Sequence, residues 1–429
     1  MKRKNQWLLF AILLLALINL SPSENSTLIR QNYPREAEPE VIPNQVDLEE
    51  TGHIKVGVQL SNDEFVRLQL MTKQFMEEYP VDVELMNMPA NEDYYELKRQ
   101  LEIGESPDVL LLDNTWVRNF AVDGYLMPAE NYYSGALTGE VLSASLAQNE
   151  WNGYLWGVPF DVDPYVWVYN SSRFKSDTGM ELPVIPNDWS KLLEKHTSYG
   201  EQLPGELLAL DFTDPYALMS LIWQLGGHVE QDGNASLFDK HENLESALQR
   251  LDKLRPYLVN MNKSSGSGDI WAKVNQGDIA AALVRFSEAS KNYSSLMEIV
   301  FAGSDEMNGT MWIAGRSYVV SARTDNKDAA GMWITEMTTQ IKQRQWIEMT
   351  DHLPVFKNMY YQAVQMGLPN NIPASLISVK KSSIPVGAEL PAQMKLFSEL
   401  SNTFYNGGYT SNEFLSEIYN ISEKSIEDH

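Results

Sequence analysis

Two aspartates, Asp161 and Asp163, stand two apart in VPFDVDPYVWVYN. In an extended stretch alternate side chains share a face, so the two carboxylates point the same way, and Pro164 holds Asp163 extended. Cα atoms two apart on a strand lie about 6.6 Å from each other, a span open to the acid and nucleophile of a glycosidase. Glycosidase carboxylates, however, flank the scissile bond from opposed positions, and these two are adjacent, so binding is favoured over hydrolysis.

Other groups suit a ligand rich in hydroxyls. Asp113, Asn114, Thr115 and Trp116 follow the apolar run Val109 to Leu112. Short polar side chains beside a tryptophan match a sugar, which needs hydrogen bonds for its hydroxyls and an aromatic face for its C–H groups. The same residues also read as a helix cap, Asp113, followed by a core tryptophan, Trp116. Asp214, Pro215 and Tyr216 form a helix N-cap and first turn, and Asp214 and Tyr216 are candidate ligand contacts. Trp223, two turns on, reads as core. Arg285 and Arg316 sit at the ends of apolar runs, each offering a planar donor fork to hydroxyls or to one of the 58 acidic residues. HENLE at 241–245 lacks the second histidine of a zinc protease helix and DNKDAAG at 325–331 lacks the calcium-loop pattern; there is no phosphate loop, dinucleotide fingerprint or GxSxG turn. No metal or cofactor is expected.

These side chains need a scaffold. Strands are expected at His53–Leu60, Val81–Met86, Val109–Leu112, Ile279–Val284 and Tyr318–Ser321. Helices are expected over Phe65–Tyr79, Asp93–Ile103 and Leu244–Leu254, the last ended by Pro256. Strand alternating with helix, and strands apolar throughout, indicate an α/β fold around buried parallel sheet. The length of 429 residues exceeds a single ordinary core.

The net charge of −25 repels phosphate backbones, so no nucleic-acid partner is expected. Lys2, Arg3 and Lys4 precede an apolar run from Trp7 to Ile18, the layout of a signal peptide over residues 1–23. Residues 24–50, with Pro34, Pro39 and Pro43, read as a tether. The chain has no cysteine, so lipoprotein anchoring through a lipobox is not expected of an exported protein with this leader.

Four segments in order, SPDVLLLDNTWVRNFAVDGYLMPA (106–129), WNGYLWGVPFDVDPYVWVYNSSRF (151–174), VNQGDIAAALV (274–284) and RSYVVSARTDNKDAAGMWI (316–334) running into HLPVFKNMYY, together with DPYALMSLIWQLGG (214–227), resemble the family 1 extracellular solute-binding proteins. These are the sugar-binding components of bacterial ABC importers. The resemblance implies a two-lobe, periplasmic-binding-protein-like (type II) fold with a cleft. One lobe would take residues 51–162 and 303–338, the other 163–302 and 339–429. It implies a monomer, not an enzyme, that binds a carbohydrate and presents it to importer membrane subunits; a sensory protein serving a membrane receptor would share the fold. Asp163 matches an acidic sugar-binding position of maltose-binding relatives. Where those relatives carry stacking tryptophans this chain has Glu288 and Ser398, which argues against a malto-oligosaccharide.

Overall fold

The computed structural model describes residues 52–89, 94–133, 139–170, 206–227, 238, 242–261, 267–301, 312–362, 375–379 and 386–427. The expected leader and tether lie outside them. Among the described residues no helix is long and apolar enough to cross a membrane.

The chain begins as β1 (Gly52–Val58), α1 (Asn62–Glu78), β2 (Val81–Asn87), α2 (Tyr94–Ile103), β3 (Val109–Asp113) and α3 (Asn114–Val122). Ser61 and Glu64 close a reciprocal capping box on α1, satisfying backbone donors that a helix start leaves bare. Leu68, Met71, Thr72 and Phe75 bury one face of that helix. Tyr79, expected on the same stripe, lies past the helix end and is exposed, because the chain turns extended there to enter β2.

Helix α4 (Ser143–Asn149) leads into the hairpin β4 (Glu150–Trp151) and β5 (Tyr154–Leu155), whose turn residues Asn152 and Gly153 both have positive φ, at 51° and 79°. An Asn-Gly pair adopts that conformation at low cost. Then come β6 (Val158–Asn170), β7 (Leu208–Leu210), α5 (Pro215–Ile222), α6 (Glu242–Leu254), β8 (Leu258–Asn260), α7 (Ser267–Gln276), β9 (Ala281–Arg285), α8 (Phe286–Lys291), β10 (Met297–Phe301) and β11 (Ile313–Val320). Helices α9 (Lys327–Met337), α10 (Gln340–Thr350), α11 (Lys357–Tyr361), α12 (Leu390–Tyr405) and α13 (Ser411–Glu427) follow.

The strands run in the order β2-β1-β3-β11-β6-β9-β7-β8, with β10 also on β6. Strand β6 belongs to two groups. Its first part, Val158 to Pro164, pairs with β11, which in turn pairs with β3; its second part, Tyr165 to Tyr169, pairs with β9, which pairs with β7. Parallel pairing within each group (β2, β1 and β3; β8, β7 and β9) aligns the carboxyl ends of those strands.

Each group has its own apolar packing. Ile54, Val56, Leu68, Phe75 and Trp333 pack together on the first, joined by Trp346 of α10. Trp167, Leu218, Leu248, Phe397 and Phe414 pack together on the second, and Trp223 is buried among them.

Candidate functional site

Loops at the carboxyl ends of parallel strands are where open α/β sheets bind ligands, because backbone and helix N-termini are presented there. In this chain β3 delivers Asp113 and Thr115, β7 is followed by Asp211 and Asp214, and β9 ends in Arg285 ahead of Glu288.

Asp113 caps α3. Its Oδ1 accepts from the Thr115 backbone N–H at 2.9 Å and from Thr115 Oγ1 at 2.7 Å. With its proton so used, the Thr115 hydroxyl accepts from the phenol of Tyr216, 3.1 Å away on α5. Asp214 caps α5 by accepting from the Tyr216 N–H at 3.0 Å, and its second oxygen accepts from the hydroxyl of Tyr165 on β6. Arg285 Nε donates to that same hydroxyl at 3.2 Å, with the guanidinium 5.6 Å from the Tyr165 ring. Five of the residues singled out from the sequence, Asp113, Thr115, Asp214, Tyr216 and Arg285, thus lie on one hydrogen-bonded path, completed by Tyr165. The Thr115–Tyr216 bond joins the two strand groups.

Burial raises the pKa of Tyr165, against the pull of Arg285, and of Tyr216, where Asp113 adds to the effect, so both phenols stay protonated donors. The terminal amino groups of Arg285 make no hydrogen bond among the described residues, which leaves a donor fork for a ligand. Glu288 is half-buried; burial pushes its carboxyl up, a hydrogen bond from Trp271 opposes this, and the neighbouring Asp163, Asp211 and Asp214 add to the rise. Ser398 donates to the Thr213 carbonyl at 2.8 Å.

Asp161 and Arg316 form a second, separate cluster. Arg316 Nε lies 3.1 and 3.2 Å from the two carboxylate oxygens of Asp161, and its Nη2 also reaches Glu64 at 3.1 Å. Trp346 Nε1 donates to Asp161 at 2.9 Å, and His352 Nε2 stands 3.0 Å from Glu64. Burial alone would raise both carboxyls, but Arg316 and His352 outweigh it and hold Asp161 and Glu64 below the usual range. Asp161 and Arg316 therefore spend their bonding on each other and on buried neighbours.

Asp163 is 4% exposed, and its two oxygens accept from the Ser287 N–H at 2.8 Å and the Ser287 hydroxyl at 2.7 Å, capping α8 from across the sheet. The shared face expected for Asp161 and Asp163 thus carries two buried and differently partnered carboxylates. Trp116 is half-buried, 5.7 Å from Tyr94 and 6.5 Å from Phe120, at the edge of the packing beneath α3.

Tyr165, Glu64, His352 and Trp346 were not singled out from the sequence. Glu64 carried a legible signal in its capping box, whereas His352 carries none, since it meets Glu64 across 288 residues.

A model of the bacterial extracellular solute-binding proteins matches residues 71–367. The chain belongs to this family. It is a solute-binding protein by family. Among its relatives is the maltotriose-binding protein of Pyrococcus abyssi (strain GE5 / Orsay), 21% identical over 214 residues, a stretch covering 49% of this solute-binding protein and 44% of that one. The unliganded and acarbose-bound receptor GacH of Streptomyces glaucescens GLA.O superposes with a TM-score of 0.69 at 19% identity, covering 89% of this chain and all (100%) of that one. The sugar-binding protein MalE of Xanthomonas citri gives 0.69 at 16% identity, with 88% and 98% covered. The maltotriose-bound binding protein of Thermus thermophilus gives 0.66 at 17%, with 87% and 100% covered. The solute-binding protein shares with them the two-lobe, periplasmic-binding-protein-like α/β fold.

Proposed function

We propose that this protein captures a carbohydrate, of oligosaccharide size, outside the cell and presents it to the membrane subunits of an ABC importer by closing two lobes around it. The observation that carries the reading is the path from Asp113 through Thr115, Tyr216, Asp214 and Tyr165 to Arg285. Carboxylates accept from sugar hydroxyls, the guanidinium donates to them, and the half-buried ring of Tyr216, backed by the buried Trp312 at 4.6 Å, offers apolar surface close by. The structural neighbours that bind acarbose and maltotriose support the same reading.

One lobe takes residues 51–162 and 303–338, the other 163–302 and the C-terminal part. The packing of Trp346 with Ile54 and Phe75 favours assigning α10 to the first lobe, which moves the last crossing to the segment around His352 and Leu353, where Leu353 bridges Val162. Export by the N-terminal segment, without a cysteine anchor, and action as a monomer complete the proposal.

A thermal-shift screen of the purified protein against mono- and oligosaccharides tests it, since a ligand selective for the folded state raises the melting temperature. A saturable rise with at least one saccharide, confirmed by calorimetry and unaccompanied by product release, is expected. A screen in which no saccharide binds, while amino acids or peptides do, would overturn it.

A further inference from the structure

Helices α3 and α4 pack against each other through a seam that is polar although it is buried. From α3 come Asn114 and Arg118, one turn apart and so on one face; from α4 come Ser145, Gln148 and Asn149, at the three- and four-residue spacing that also defines one face. Asn114, Ser145, Gln148 and Asn149 are each no more than 3% exposed. Among the described residues six of their polar atoms find no partner: Asn114 Nδ2, Arg118 Nε, Ser145 Oγ, both amide atoms of Gln148, and Asn149 Oδ1.

The surrounding contacts place Asn114 and Asn149 beside Ser317 and Arg118 against the end of α4, and helical spacing puts Ser145 and Gln148 on the same face of α4 as Asn149. Ser317 donates to Asn114 Oδ1 at 2.6 Å, Arg118 Nη2 donates to the Glu150 carbonyl at 2.6 Å, and Asn149 Nδ2 donates to the Ser145 carbonyl at 2.7 Å. Two glycines pack closely against the amides of the seam, leaving no room for a side chain. A Cβ at Gly157 would lie 2.4 Å from Asn149 Oδ1, and one at Gly315 would lie 2.8 Å from Asn114 Nδ2.

Buried polar atoms in folded proteins are almost always hydrogen-bonded, and a neutral amide bare on both its atoms is costly. The unpartnered set mixes donors (Asn114, Arg118 and the Gln148 amino group) with acceptors (the Gln148 and Asn149 oxygens) and one hydroxyl that does both. Neither an anion nor a cation satisfies such a mixture. Water does.

We infer that the α3–α4 seam is a buried hydration site, in which ordered water binds Asn114, Arg118, Ser145, Gln148 and Asn149 behind the first turn of α3. A buried water makes two to four hydrogen bonds, so six atoms call for about two or three molecules. The site lies behind Thr115 and stands whatever the solute is.

Oxygen-17 relaxation dispersion of the full-length protein counts long-lived internal waters. Gln148→Leu, which removes two of the six atoms, is expected to lower the count by at least one, and a crystal structure of the unsubstituted protein is expected to show water bonded to Gln148. An unchanged count in folded Gln148→Leu overturns the inference. So does electron density in which the Gln148 amide bonds directly to Asn114, Ser145 or Asn149 with no water between, and that measurement decides the matter even if the variant fails to fold.

Discussion

Asp163, expected from the sequence to meet the ligand, is engaged within the fold. Both of its oxygens serve Ser287, whose N–H lies in the first turn of α8. Asp163→Ala is therefore expected to destabilise the protein by about 1–3 kcal/mol by leaving that buried donor bare, measured by urea denaturation beside calorimetry. Lost affinity at unchanged stability would instead return Asp163 to direct ligand contact. The Asp161–Arg316–Glu64 cluster makes a pH prediction. Both carboxyls are depressed in the folded state, so their stabilising contribution is complete above their ordinary values of 3.8 and 4.5 and is lost as pH falls below them. Denaturation midpoints should hold level from pH 7 to about 5 and fall below about 4.5. Arg316→Gln should cost about 3 kcal/mol or more at pH 7, because it strands a buried carboxylate. A midpoint insensitive to acid down to pH 3 would mean that the cluster contributes nothing.

At the scale of elements, β6 has the decisive role, since it is paired with β11 over its first part and with β9 over its second. A side chain on β11 at Gly315 has no room: its Cβ would meet the Asn114 amide and the Asp161 backbone carbonyl, each at 2.8 Å. Backbone cannot rotate away as a side chain can. Gly315→Ala should cost about 1–3 kcal/mol, whereas Gly387→Ala, with nothing within 4 Å, should be close to neutral. Equal denaturation midpoints for the two variants would show that β6 and β11 leave room for a side chain at Gly315.

Among the described residues the two strand groups carry separate apolar packings, and the Thr115–Tyr216 hydrogen bond ties the end of β3 to the start of α5. A ligand that touches both sides favours closure only by its differential affinity for the closed form. The radius of gyration from small-angle scattering is expected to shrink at saturation with the saccharide found by screening. Tyr216→Phe is expected to weaken binding by about five- to tenfold, the loss of one hydrogen bond. A radius that stays fixed at saturation would sink closure and leave simple binding in place.

Length, periodicity and caps act over a few residues, and those features were readable along the chain. The strand ending in Asp113, the Asp214-Pro215 start of α5 and the α6 stripe ended by Pro256 all stand within a residue or two of expectation, because each depends on neighbours in sequence. The order of the segments likewise pointed to the family. Partnership was a different matter. Nothing local announces that Asp161 faces Arg316 and Trp346 while Asp163, two residues on, serves Ser287, or that Tyr165 links Asp214 to Arg285. Those choices rest on contacts more than a hundred residues apart in most cases, made only when β6 is laid between β11 and β9. A carboxylate reads the same in sequence whether it awaits a ligand or caps a helix, and burial and geometry in the folded chain separate the two.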